Sequence, residues 1–225
     1  MRFPPTLFLV ALAVACQRSP EPPAVRSKVT AETPAAQLGT LPAGLGVAVG
    51  QPVPNVTAKD LDGKQVSLAE FTAKGPTLLV FYRGGWCPFC NFQIRELAAA
   101  APKFAAQGIS LLAVSVDRPD EGVKTRARYA LPFPVLSDSD LAFVNGFNVA
   151  NRVTDEEVAR LGGFGIDLEA SSARTHHVIA VPSLFLIDRA GIVRWAHADT
   201  DYKTRPKPEQ ILAALESNGV LDRLR

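Results

Sequence analysis

From about Leu41 onward the chain alternates between two kinds of hydrophobic pattern. "PTLLVFY" (Pro76 to Tyr82), bounded by Gly75 and Gly84, and "ISLLAVSVD" (Ile109 to Asp117) are continuous apolar runs. Such runs predict strands covered on both faces. After Asn91, residues Phe92, Ile94, Leu97, Ala98 and Ala101 form a helical stripe that Gly108 stops. "PDEGVKTRARYAL" predicts a helix opening on Pro119, "PFPVLSD" a short strand, and "SDLAFVNGFNV" a further helix. "VTAKDLDGKQVSL" sets Asp62-Gly63 between two short alternating runs, a hairpin signal, and Ser67 and Glu70 have the spacing of a helix capping box. "HVIAVPSLFLIDRAGIVRWAHAD" gives two apolar strands joined at "DRAG", and "KPEQILAALESNG" a closing helix with Pro208 near its start and Gly219 just past its end. The polar, Gly-containing stretch from about Ala150 to Thr175 reads as an insertion. Alternating strands and helices followed by an antiparallel hairpin predict an α/β fold, a mixed central β-sheet flanked by helices on both faces.

The first forty residues follow a different rule. "MRFPPTLFLVALAVACQRSP" carries one basic residue, an apolar run from Leu7 to Ala15 and small residues before Cys16, the pattern of a signal peptide over residues 1–15. A membrane-spanning helix needs about 20 apolar residues, and this run stops short of that. The cysteine after a small-x-small cleavage site resembles the bacterial lipoprotein signal, which makes Cys16 a candidate for lipidation. Its departure is Ala13, where that signal more often has Leu. Several acyl chains would hold the protein stably at a membrane. Residues 16–40 are rich in Pro, Ala and charge, with almost no large apolar groups, and predict a disordered tether. The folded domain is expected over 41–225. The chain is thus expected to be exported, to the periplasmic face of the cell membrane or to the outer membrane, with a soluble secreted or periplasmic protein as the alternative.

Length and charge narrow the function. A chain of 225 residues with 47% hydrophobic residues supports one sizeable core rather than two. A net charge of +2, with no Lys/Arg cluster interleaved with aromatics, argues against nucleic acid as a partner.

"GGWCPFCN" (Gly84 to Asn91) carries the chemistry. Cys87 and Cys90 fall at a strand-to-helix junction, where free N–H groups and the helix dipole favour a thiolate. Their spacing lets one sulfur resolve a mixed disulfide formed at the other. Pro88 suits the first helical turn, and Trp86 is expected to pack beside the site. A Cys-x-x-Cys after the first long strand is the order of a thioredoxin-like fold. A structural disulfide or half a zinc site is the other reading. Zinc normally needs four ligands, and only Cys16, His176 and His177 remain to complete one, so no metal is assigned. Val181-Pro182-Ser183 is the second informative stretch, because a proline opening a buried strand calls for an edge, a bulge or a special peptide geometry. In this fold a cis proline faces the two cysteines there, which makes Val181 and Pro182 candidate substrate-platform residues. No role follows for His176, His177 or His197.

At "FYRGGWCPFC", "FPVLSD", "VPSLFLIDRAGIVRWAHADTDY" and "PEQILAAL" the chain resembles the peroxiredoxin-like branch of the alkyl hydroperoxide reductase and thiol-specific antioxidant (AhpC/TSA) family, over about Val49 to Leu215. The resemblance implies a thioredoxin fold, antioxidant or disulfide oxidoreductase activity without a prosthetic cofactor, and electrons from an external thiol, either a protein or a small molecule. It also sets two chemistries against each other. In true peroxiredoxins a Pro, a Thr, the attacking Cys and a later Arg correspond here to Arg83, Cys87, Cys90 and Pro182, so three of the four differ. What remains is thioredoxin-like, with Cys87 attacking a disulfide and Cys90 resolving. That version lacks its buried acid, because the matching strand position is Phe81. Arg83 is a candidate for lowering a cysteine pKa. The leading expectation is therefore a thiol–disulfide oxidoreductase using Cys87 as nucleophile. A peroxidase using Cys90 is the second, and a metal-delivery or scaffolding lipoprotein the non-enzymatic third.

Overall fold

The computed structural model describes Met1, residues 31–34 and residues 37–224, and every structural statement below refers to these. The signal segment and Cys16 lie outside them. β1 (Ala31–Glu32) is followed by the hairpin β2 (Thr57–Lys59) and β3 (Gln65–Ser67), then α1 (Leu68–Thr72). Ser67 and Glu70 close the reciprocal capping box that their spacing predicts. The core elements are β4 (Thr77–Phe81), α2 (Pro88–Ala106), β5 (Ser110–Ser115), α3 (Pro119–Tyr129) and β6 (Val135–Ser137). Next come α4 (Ala142–Gly146), β7 (Ala150–Arg152), α5 (Asp155–Gly163), α6 (Leu168–Ser172) and β8 (Val178–Ala180). The chain closes with β9 (Ser183–Ile187), β10 (Val193–Ala198), β11 (Thr204–Arg205), α7 (Pro208–Ser217) and α8 (Val220–Arg223).

The main sheet runs β10-β9-β4-β5-β6-β2-β3, parallel across β4-β5-β6 and antiparallel elsewhere. Every residue of β4 is buried, as its uninterrupted apolar run requires. The period-two alternation of a strand sends Leu79, Phe81, Leu112 and Val114 to one face, where Phe143, Phe147 and Phe185 join them. Leu78, Val80, Leu111 and Ala113 go to the other face and pack under Ile94, Leu97 and Phe104 of α2 and Ile211 and Leu215 of α7. Two apolar faces covered by helices fix the mixed α/β architecture.

Two regions differ from expectation. The stretch read as a polar insertion holds β7, α5 and α6, which bury Leu161 and Leu168 against the first core face. Thr154 and Asp167 cap its two helices by accepting the N–H of Glu157 and Ala170. The folded part also begins before Leu41. Ala31–Glu32 pairs in parallel with Thr204–Arg205, Thr33 is buried, and the Gln210 side chain donates to the Thr33 carbonyl at 3.2 Å. The physical reason is backbone pairing: a segment with few large apolar groups docks through its ladder hydrogen bonds.

Candidate active site

The dithiol hangs from the end of β4. Cys87 is the N-cap of α2, Pro88 its first residue, and Cys90 lies one turn in. The turn before it needs glycine. Gly84 has φ of +152°, and a Cβ there would collide with the Trp86 indole and the Asp117 carboxylate. The Gly85 N–H donates to Asp117 Oδ2 at 2.7 Å, and the Asn91 amide donates to the Gly85 carbonyl at 2.7 Å. Strand β5 and helix α2 thereby hold the loop from both sides.

Both cysteines are free thiols, and both are buried, at 1% exposure for Cys87 and 0% for Cys90. Their surroundings are unequal. Cys90 Sγ accepts the Arg83 backbone N–H at 3.4 Å and the Arg205 Nη2 at 3.9 Å, and the Cys87 thiol hydrogen-bonds to it. Burial by itself raises the Cys90 pKa, but the Cys87 thiol, the Arg205 guanidinium and the Arg83 N–H outweigh it and bring it down to about 6. Cys87 moves the other way, pushed up by donating to Cys90 and by burial. The pair gives up one proton readily, and the charge rests on Cys90.

Arg205 is the residue that the sequence did not disclose. It is 4% exposed and makes no ion pair with a carboxylate among the described residues. A buried cation needs an anion, and the sulfur it touches is Cys90. Tyr202, three residues before it in the chain, packs beside the site. Its ring lies 4.2 Å under the Arg83 guanidinium and 5.4 Å edge-on to Phe89. Arg83 is buried and also stacks on Trp86 at 5.1 Å, so it is held between aromatic rings rather than solvated. Of the "HADTDY" stretch, Tyr202 is the residue that packs on side chains flanking the dithiol.

A buried acid is present too, on a neighbouring strand. Asp117 follows the end of β5 and lies under the Gly84–Gly85 turn at 2% exposure. Burial raises its pKa to about 7 against the pull of the Gly85 N–H and Ser115.

Pro182 departs from expectation. No cis peptide bond occurs among the described residues, so Val181–Pro182 is trans. The proline falls between β8, which pairs with β7, and β9 in the main sheet, a junction where no ladder N–H is required of it. The Val181 N–H already donates to the Val149 carbonyl at 2.8 Å, and the Val181 carbonyl accepts Ser183 Oγ at 2.8 Å. Val181, Pro182, Arg83 and Tyr202 nevertheless line one cleft of about 240 Å3. The histidines lie outside the dithiol's contacts. His176 bonds the Ser139 carbonyl and the Val178 N–H, His177 pairs with Glu169, and His197 is buried against Trp195. No cluster of three or more metal-ligating side chains occurs among the described residues.

A mixed sheet with Cys-x-x-Cys at the junction of its central strand and a long helix defines a thioredoxin-like dithiol protein. The chain belongs to the AhpC/TSA family, whose model matches residues 49–196. It is 27% identical over 146 residues to the thiol-disulfide oxidoreductase ResA of Bacillus thuringiensis, covering 64% of this chain and 66% of that one. It is 36% identical over 92 residues to the chloroplastic peroxiredoxin Q of Gentiana triflora, covering 41% of this chain and 42% of that one. The chain spans less than two thirds of the length of these curated relatives. Among solved structures, reduced Prx3 of Vibrio vulnificus in complex with H2O2 shares the fold, with a TM-score of 0.62 at 20% identity over 75% of this chain and 99% of that one.

Proposed function

We propose that the protein is a thiol-dependent peroxidase with an antioxidant role, in which Cys90 attacks and Cys87 resolves. The observation that supports this order of roles is the convergence of the Arg83 N–H, the Arg205 guanidinium and the Cys87 thiol on one buried sulfur. The thiolate is the reactive form, and a small hydroperoxide is the oxidant that suits a thiolate with no exposed surface. Attack of the Cys90 thiolate forms an S–O bond, breaks the O–O bond and releases an alkoxide or hydroxide that takes a proton from water. Cys87 then displaces water from the sulfenic acid to give the Cys87–Cys90 disulfide, and two equivalents of an external thiol restore the dithiol. Arg83, Trp86 and Pro88 position the pair.

The second reading has Cys87 attack a protein disulfide and Cys90 resolve. Its support is the place of Cys87 at the helix N-cap and the cleft that joins Arg83 to Val181 and Pro182. Single-cysteine variants separate the two. Peroxide consumption is expected to vanish in Cys90→Ser, whereas Cys87→Ser retains one stoichiometric turnover. Peroxide loss that survives Cys90→Ser, with insulin disulfide reduction lost in Cys87→Ser, would transfer the nucleophile to Cys87.

The signal-like segment and Cys16 support an exported protein held at the periplasmic face of the cell membrane or at the outer membrane by lipid. None of the described helices is long and apolar enough to cross a membrane. Cys16→Ser is expected to move the protein into the soluble fraction; retention at the membrane would refute the anchor.

A further inference from the structure

A cleft of about 360 Å3 runs along the first two turns of α2, within the range of small-molecule sites. Pro88, Asn91, Phe92 and Arg95 line it at the spacing of a single helical stripe. Arg128 and Tyr129, at the end of α3, form the facing wall. Trp86 and Pro88, the chain neighbours of Cys87, are among its lining residues, so only the wall they form separates the cleft from the buried Cys87. Its composition is one-sided: it carries aromatic rings and two guanidiniums, and no carboxylate lines it. Arg95 rests on Phe92 and Arg128 on Tyr129, each at 5.5 Å, and neither makes an ion pair among the described residues. Arg95 follows Cys87 by about two turns, about 12 Å along the helix axis. That is the span of about three extended residues.

We infer that this cleft binds a small anionic thiol, a peptide of tripeptide size with two carboxylates, which reduces the Cys87–Cys90 disulfide with its carboxylates on Arg95 and Arg128 and its sulfur at Cys87. The inference rests on the reading of the two cysteines as a dithiol–disulfide couple. The thiolate attacks Cys87 Sγ, a new S–S bond forms there, and the Cys87–Cys90 bond breaks with its electron pair going to Cys90. Cys90 is the better leaving group because Arg205 and the Arg83 N–H hold its charge. A second molecule of the thiol then attacks the mixed disulfide, leaves as the oxidised dimer and returns Cys87 to the thiol. Two electrons and two protons enter the protein, and two thiols become one disulfide. Planar guanidiniums bind carboxylates in paired hydrogen bonds, which gives this cleft a charge preference that thiol reactivity by itself does not have.

The test is a charge series of reductants on the oxidised full chain, followed by stopped flow at equal thiolate concentration: glutathione as the anionic probe, β-mercaptoethanol as the neutral one and cysteamine as the cationic one. Glutathione is expected to react about tenfold faster than β-mercaptoethanol, with cysteamine slowest and the glutathione advantage shrinking at high salt. In the double variant Arg95→Gln/Arg128→Gln the ratio of the glutathione rate to the β-mercaptoethanol rate is expected to fall about tenfold, and in Arg128→Glu to fall below one. Equal rates for the three thiols, or a ratio that the variants leave unchanged, would overturn the inference while leaving the dithiol couple intact. A protein donor that outruns glutathione and is insensitive to both variants would overturn it as well. Failure of every thiol to reduce the pair would instead remove the dithiol reading and this inference with it.

Discussion

The two sulfurs are built by two different regions. The first turn of α2 supplies geometry: it fixes the spacing of Cys87 and Cys90, seats Pro88 and buries both thiols under Trp86 and Phe89. The Asp199–Arg205 segment supplies charge and packing: Tyr202 packs on Arg83 and Phe89, and Arg205 brings a guanidinium to Cys90 from far along the chain. A helix N-terminus contributes partial charge to whatever lies there, so it would favour either sulfur. The arginine does discriminate, because it reaches one sulfur and not the other. Helix geometry therefore makes a dithiol, and the distant strand joins the Cys87 thiol and the Arg83 N–H in favouring the charge on Cys90.

Removing the arginine is the strongest way to break that division. Arg205→Met is expected to move the midpoint of the alkylation pH profile of Cys90 up by about 1–3 units. The rate at neutral pH is a poor gauge, because a thiolate of higher pKa is also more nucleophilic and the two effects partly cancel. The stability of the reduced protein changes with it. A group whose folded pKa lies near 6, below its ordinary value, contributes stability that is present above about pH 9 and lost as pH falls through 6. Chemical denaturation from pH 9 down to pH 6 is expected to show that loss in the parent and a flatter profile in the variant. An unmoved alkylation midpoint would return the discrimination to the helix.

Gly84→Ala tests the geometric half. The added methyl meets Trp86 and Asp117, and the residue sits at a φ that alanine rarely adopts. A loss of about 1–3 kcal/mol is expected, with the Cys90 midpoint displaced less than in Arg205→Met. A larger displacement would mean that the turn, and not the arginine, sets the charge.

The division also explains what was legible in the chain. Buried strands, the capping box, the Asp62-Gly63 hairpin and the Cys-x-x-Cys at a strand–helix junction all rest on local patterns, and all are found in place. Helices α5 and α6 were legible as well, since "TDEE" and "DLEA" each open on a capping residue, but polarity hid them. Arg205 and Tyr202 were not. Arg205 belongs to a two-residue strand whose partner is Ala31–Glu32 in the segment read as a tether, Tyr202 lies in the turn before it, and no period in the sequence announces such a pairing. The buried acid escaped for a related reason. The position matching it on β4 is Phe81, while the carboxylate comes from the end of β5, one strand over in the parallel register that sets Phe81 opposite Val114.

That acid gives the smallest and sharpest of these tests, because it acts on the turn and the charge together. Asp117 accepts from Gly85 through one oxygen and leaves the other without a partner among the described residues. Asparagine keeps an acceptor for Gly85 and cannot ionise. In the parent, a carboxyl whose folded pKa is raised to about 7 holds a proton that the unfolded chain has already released, so stability falls as pH rises from about 4 to 7. In Asp117→Asn that fall is expected to disappear. The gain at pH 8 is on the order of 1 kcal/mol, because Asp117 lines a cavity of about 190 Å3 rather than a close-packed interior. The Cys90 midpoint is expected to stay nearly unchanged, since Asp117 still holds its proton where Cys90 titrates. A stability profile of unchanged slope would mean that Asp117 is ionised throughout, and its part would then be confined to holding the Gly85 N–H.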